Sequence, residues 1–220
     1  MPADQAAGLR RRSARQPLRG IHCFFDAAES THLLAQALHR LGRVPLLVDM
    51  QGRLFGGSST RTLFGWRQQI ERGQLNTLPL AYGEGWHAPG VRADEPALRD
   101  AAHAYDCLLF DAGVTEADLT LMQDADQTVV IEIRHLHESM LRAYALLKTL
   151  SGMGCDLHVG LLGDATACEQ VQSACRHFLE QQVAQTIFSA AHEDEPFAAL
   201  AVRMSGMEAS PLARYKTGKS

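Results

Sequence analysis

Residues 105–113 read YDCLLFDAG. Cys107, Leu108, Leu109 and Phe110 form an apolar run of strand length, and Asp111 stands directly at its end. A strand that is apolar on both of its faces belongs inside a sheet covered on both sides. The same pattern recurs upstream, where Val44–Val48 leads into Asp49. It recurs again in Ile21–Phe25, in the β-branched run Thr128–Ile133 and in Leu157–Leu162. Leu78–Tyr82 and Thr186–Ser189 add two weaker strand candidates.

Helical spacing fills the gaps between these runs. Leu33, Leu34, Ala37, Leu38 and Leu41 recur on one face, and Gly42 supplies the stop. Leu136, Met140, Ala143, Tyr144, Leu147 and Leu150 mark a longer helix. Asp164 can cap a third, whose inner face carries Cys168, Val171, Cys175 and Phe178. Residues 63–77 and 96–103 are expected to be helical, 51–62 and 89–95 to be loop, and the tail after Glu193 has no single period. Buried strands alternating with amphipathic helices predict a three-layer α/β fold, a mostly parallel sheet with helices on both faces. Ligands of such sheets sit at the carboxyl ends of the strands. Asp49 and Asp111 both lie there and are the candidate nucleotide and magnesium ligands, although a strand-end aspartate also serves as a turn or cap residue.

The chain has 220 residues, 46% of them hydrophobic, enough for one well-buried core. Its net charge of −4 does not suit a nucleic-acid binder. The charge is uneven. The first twenty residues carry Arg10, Arg11, Arg12, Arg15 and Arg19 against Asp4, a balance of +4 that leaves −8 on residues 21–220. A basic arm (1–19) on an acidic domain (20–220) is a partner-binding layout. No run approaches the roughly 18 apolar residues that span a bilayer, and the N-terminus has no apolar signal core. Five cysteines without a CxxC pair point to reduced thiols and a cytoplasmic protein. His135 and His137 stand two apart at a strand-to-helix junction with no second cluster, so no metal site is expected. Gly56–Thr60 reads as a loop rather than a phosphate cradle.

The order of the pieces resembles the deviant-Walker MinD/ParA ATPases, a P-loop NTPase family. The carriers are a helix ending in LGR (41–43), LLVD (46–49), YDCLLFDAG (105–113), ADQTVVIE (125–132) and ESMLRAYALLKTL (138–150). The resemblance makes Asp111 the metal-associated aspartate of the Walker B strand. It places Asp49-Met50-Gln51 where the family has Asp-Ala-Asp, so the second acid is replaced. The Walker A loop departs further. Residues 23–31 read CFFDAAEST, with no glycine to let backbone N–H groups close on a phosphate and no lysine to neutralise it. Asp26 and Glu29 have the spacing of a capping box, which would place negative charge where a phosphate must sit. The family's base-contacting Asn is also replaced, by Leu162-Gly163. Asp49 and Asp111 are therefore read as a vestigial nucleotide and metal site. No residue is catalytic in cis, and ATP with magnesium is not expected to bind beyond a residual level.

Asp4-Gln5-Ala6-Ala7-Gly8-Leu9-Arg10 resembles the DQAxxLR activator segment that precedes the ATPase domain in flagellar-number regulators of the FlhG/FleN (YlxH) type, and Ala209–Ala213 resembles the Ser-Pro-Ala-Ala stretch near their C-terminus. The resemblance implies a partner, the signal-recognition-type GTPase FlhF, and stimulation of its GTP hydrolysis. Gln5 would act in trans by orienting the attacking water. Asp4 and Arg10 would hold the arm by polar contacts, Leu9 by an apolar one, and Ala6 would permit close approach. It also implies a cytoplasmic protein, polar or membrane-peripheral through partners such as other flagellar basal-body components, with a homodimer open. Direct membrane contact is not expected, because Pro211 and Gly218 interrupt the tail. Two other readings stand beside this one: an active ATPase of the ParA/MinD class, and an adaptor in another polar system such as cellulose secretion or partition.

Overall fold

The computed structural model describes residues 18–49, 53, 77–79, 105–113, 126–152, 157–179 and 185–206. The arm motif, Met50, Gln51, Gly56–Thr60, residues 63–76 of the helix expected over 63–77, the helix expected over 96–103, and the tail from 207 lie outside the described residues, whereas Thr77 opens a strand and is not helical.

The elements run β1 (Arg19–Phe24), α1 (Ala28–Arg40), β2 (Pro45–Asp49), β3 (Thr77–Pro79), β4 (Cys107–Asp111), β5 (Asp126–Ile133), α2 (His137–Gly152), β6 (Leu157–Gly163), α3 (Ala165–Phe178), β7 (Ile187–Ser189) and α4 (Pro196–Gly206). The strands form one sheet in the order β3-β2-β4-β1-β5-β6-β7, and every pairing is parallel. Arg19, counted with the arm from the sequence, opens β1.

Successive strand residues point to opposite faces, and both faces are covered. Ile21, Cys23 and Phe25, with Leu109 and Val130, pack under α1 and α4 through Leu34, Leu38, Leu200 and Met204. Phe24, Val129, Ile131 and Ile133 pack under α2 and α3 through Ala143, Leu147, Cys168, Val171 and Cys175. This is the expected three-layer α/β fold. It also explains why the strands read as unbroken apolar runs. Among the described residues, no helix is long and apolar enough to cross a membrane.

The helix boundaries follow local chemistry. Gly42, at φ +77°, lets α1 end in a Schellman turn: its N–H bonds the His39 carbonyl at 2.9 Å, and the Arg43 N–H bonds that of Leu38 at 3.1 Å. Asp164 caps α3 by accepting the Ala167 N–H at 2.8 Å. That hydrogen bond is the main cause holding its carboxyl below the usual value, with His135 adding to it.

Four expected inner-face residues are outside: Leu33 of α1 at 46% exposure, Leu41 at its C-cap at 43%, and two more at the ends of α2 and α3. Leu136, 58% exposed, precedes the first residue of α2, and Phe178, 76% exposed, is the last residue of α3. Helix α4 is an addition to the sequence reading. Phe197, Ala198, Ala199, Leu200, Ala201 and Val202 are apolar in succession, so no period marks a face. The helix is set by Pro196 at its first turn and by burial of Leu200, Ala201 and Met204.

Gly163 ends β6 at φ +109°, and a Cβ there would lie 2.2 Å from the Ile133 carbonyl oxygen. Gly163→Ala is expected to destabilise the fold by about 2–3 kcal/mol in urea unfolding, because both the backbone angle and the contact are unfavourable to any side chain. A change within about 0.5 kcal/mol, the range of an ordinary surface substitution, would show that the β5–β6 edge relaxes freely.

Candidate functional site at the strand-end edge

The parallel sheet gathers the carboxyl ends of β1, β2, β4 and β5 along one edge. In register, Asp111 of β4 pairs with Cys23 of β1 and with Asp49 of β2. The two acids selected from sequence therefore occupy neighbouring strand ends.

Asp111 is fully buried. A buried carboxylate is costly unless it is paired and hydrogen-bonded, and this one is. The Thr31 hydroxyl, buried in the second turn of α1, donates to Oδ1 at 2.8 Å. Arg53 lies four residues past β2 and grips both oxygens, Nε to Oδ2 and Nη2 to Oδ1, each at 2.7 Å. Its fork continues onto main chain. Nη2 donates to the Phe25 carbonyl at 2.8 Å and Nη1 to the Asp26 carbonyl at 2.9 Å. One guanidinium thus joins the end of β4 to the connection between β1 and α1.

That connection has three residues, Phe25, Asp26 and Ala27. The expected capping box does not form. Ala27 is the N-cap and makes no side-chain cap. The helix starts one residue later than a box headed by Asp26 requires, so Glu29 stands at the second position of the helix instead of the third. The Asp26 carboxylate turns sideways to Arg134, whose Nε lies 2.6 Å from Oδ2, and to Arg142, 3.8 Å from Oδ1. Beside Glu29 in the first turn, β5 brings a second carboxylate to the helix N-terminus. Glu132 accepts the Asp26 N–H at 3.1 Å and the buried Ser30 hydroxyl at 3.4 Å. Three carboxylates, Asp26, Asp111 and Glu132, and three arginines, Arg53, Arg134 and Arg142, take part in these contacts.

Sequence reasoning found Asp111 and missed its partners. The signal for Arg53 is that a buried strand-end acid needs a counterion, and Arg53 is the first basic residue after the neighbouring strand β2. Glu132, inside an apolar β-branched run, is a second signal of the same kind. The arm residues Asp4, Gln5, Ala6, Leu9 and Arg10 lie outside the described residues.

The described cysteines are packing groups. Cys23, Cys107, Cys168 and Cys175 are free and buried. Burial pushes the Cys107 thiol up to about 12 and those of Cys168 and Cys175 up to about 11. Cys23 is raised as well, by burial first and then by Asp111. His135 Nδ1 lies 3.2 Å from Asp164 Oδ1 at the surface, and no group of three potential metal ligands exists among the described residues.

No protein-family model matches the chain, and no curated protein sequence matches it significantly. Solved structures do. A chain of the MinC:MinD cell division protein complex of Aquifex aeolicus aligns with a TM-score of 0.51 at 15% identity, over 90% of this chain and 99% of that one. A partition protein aligns with a TM-score of 0.50 at 14% identity, over 90% of this chain and 71% of that one. At such identities the likeness is one of fold. The chain shares the three-layer α/β architecture of these two structures.

Proposed function

We propose that this chain is a MinD/ParA-like regulator of the FlhG/FleN type that has given up its nucleotide. It controls flagellar number or placement by binding, through its N-terminal arm, a signal-recognition-type GTPase of the FlhF class and stimulating GTP hydrolysis there. The observation that carries the loss of the nucleotide is the Arg53 guanidinium on Asp111 and on the Phe25 and Asp26 carbonyls. A triphosphate needs backbone N–H donors around it and a magnesium ion on the strand-end acid. Here the loop presents carbonyl acceptors, the acid is held by two hydrogen bonds from an arginine, and three residues leave no span for a cradle. Magnesium ATP does not fit these residues.

Support for the partner comes from the sequence DQAAGLR at 4–10, placed immediately before a domain of this fold. A chain solved within a MinC:MinD complex gives the general precedent of this fold working through a protein partner.

Calorimetric titration tests the first half. ATP with magnesium is expected to bind in the millimolar range or more weakly, an order-of-magnitude bound, and micromolar binding would refute the degenerate site. The second half is tested by adding the full chain to an FlhF-type GTPase and following GTP hydrolysis, which is expected to accelerate without ATP. No acceleration at saturating concentration would refute the activator role.

A further inference from the structure

We infer that the strand-end edge is a guanidinium-binding site whose resident ligand is this chain's own Arg53. The site is built as a receptor for that group. Two carboxylate oxygens and two main-chain carbonyls lie in hydrogen-bond reach of three guanidinium nitrogens, at 2.7–2.9 Å. The acceptors come from the end of β4 and from the β1–α1 connection, and the planar fork of an arginine meets them together. A lysine ammonium has neither that plane nor that spread of donors.

The contrast with the neighbouring pair is informative. The Arg134 side chain that holds Asp26 is 52% exposed, as a rim group is, whereas Arg53 is 26% exposed and its carboxylate partner is fully buried. Thr31 completes the carboxylate from the α1 side. The role of the site follows from what it joins. Arg53 ties residue 53 to the end of β4 and to the β1–α1 connection through the chain's own acceptors, where a nucleotide's metal and phosphates would otherwise have to bind. The inference rests on the proposed loss of the nucleotide and adds the identity of the replacing ligand.

Chemical rescue tests it on the full chain. Arg53→Ala is expected to lower the melting temperature by about 6–20 °C, as breaking a buried ion pair does in a chain of this size. Low-millimolar ethylguanidinium is expected to restore at least half of that loss. Ethylammonium and sodium chloride at equal concentration should not, and neither should magnesium. Arg53→Lys, which keeps the charge and loses the fork, should remain well below the native chain. If Arg53→Ala folds only with ethylguanidinium present, the site is supported directly. An Arg53→Ala or Arg53→Lys melting temperature within about 1 °C of native overturns the inference. So does rescue that ethylammonium or magnesium matches, or no rescue at all. Micromolar ATP binding by the native chain would remove the proposed function instead, whereas failed rescue with no ATP binding removes only the guanidinium site.

Discussion

Asp111→Ala is expected to destabilise the chain by about 3–5 kcal/mol in urea unfolding, the range for removing one partner of a buried ion pair. The side chain is fully buried and accepts three hydrogen bonds, one from Thr31 and two from Arg53. Its loss leaves a buried hydroxyl and a guanidinium with carbonyls as the remaining acceptors. Asp111→Asn keeps the shape and one acceptor oxygen, but turns an amide N–H₂ toward donors, so it should recover only part of the loss. Thr31→Val removes a single neutral donor and should cost about 1 kcal/mol. Arg53 and Asp111 should not be additive: a double-mutant cycle is expected to show a coupling above roughly 1 kcal/mol. An additive cycle, or Asp111→Ala within about 0.5 kcal/mol of native, would mean that the pair is incidental. Because the acid serves structure in this reading, Asp111→Asn should leave the response of the GTPase partner unchanged wherever the variant is folded.

The layers were legible in the sequence for a simple reason. A strand covered on both faces has no alternation to disguise it, and runs such as CLLF at 107–110 and VVIEI at 129–133 stand out from their polar flanks. Helix ends were legible where a single residue decides them, as with Gly42 and Asp164. Helix α4 was hidden because its residues are apolar nearly all round, so the period that identifies a face is lost. The candidate site was half legible for a different reason. Position along a strand marks Asp111, but its counterion arrives from 58 residues away in sequence, and no local spacing records that contact. The same holds for Glu132, which meets the α1 N-terminus from 106 residues away. The false capping box shows the reverse error. Local spacing allowed Asp26 and Glu29 to serve each other, but Arg134 and Glu132, brought by β5, offered both the side chain and the backbone of Asp26 partners of opposite character.

The stimulating activity itself is expected to reside in the arm. A synthetic peptide of residues 1–20 should accelerate GTP hydrolysis by an FlhF-type partner on its own, because the arm carries the DQAAGLR sequence and the charge of +4 while residues 21–220 carry −8. A water-orienting group acts mainly in the transition state, so Gln5→Ala should reduce the maximal stimulated rate roughly tenfold or more while the peptide still binds. Leu9→Ala should do the opposite. Losing a buried leucine side chain removes about 1.5–3 kcal/mol of apolar contact, which raises the peptide concentration for half-stimulation roughly tenfold or more and leaves the maximal rate nearly intact. Arg10→Ala should behave like Leu9→Ala and should also lessen the dependence on salt, since a screened charge contributes to encounter. Single-turnover hydrolysis over a range of peptide concentrations separates the two classes, maximal rate against half-saturation. An inert peptide, together with a chain lacking residues 1–20 that still stimulates fully, would move the activity to the α/β domain. In that case the partner would have to be sought on its surface, with the Arg53-closed edge as the first place to look.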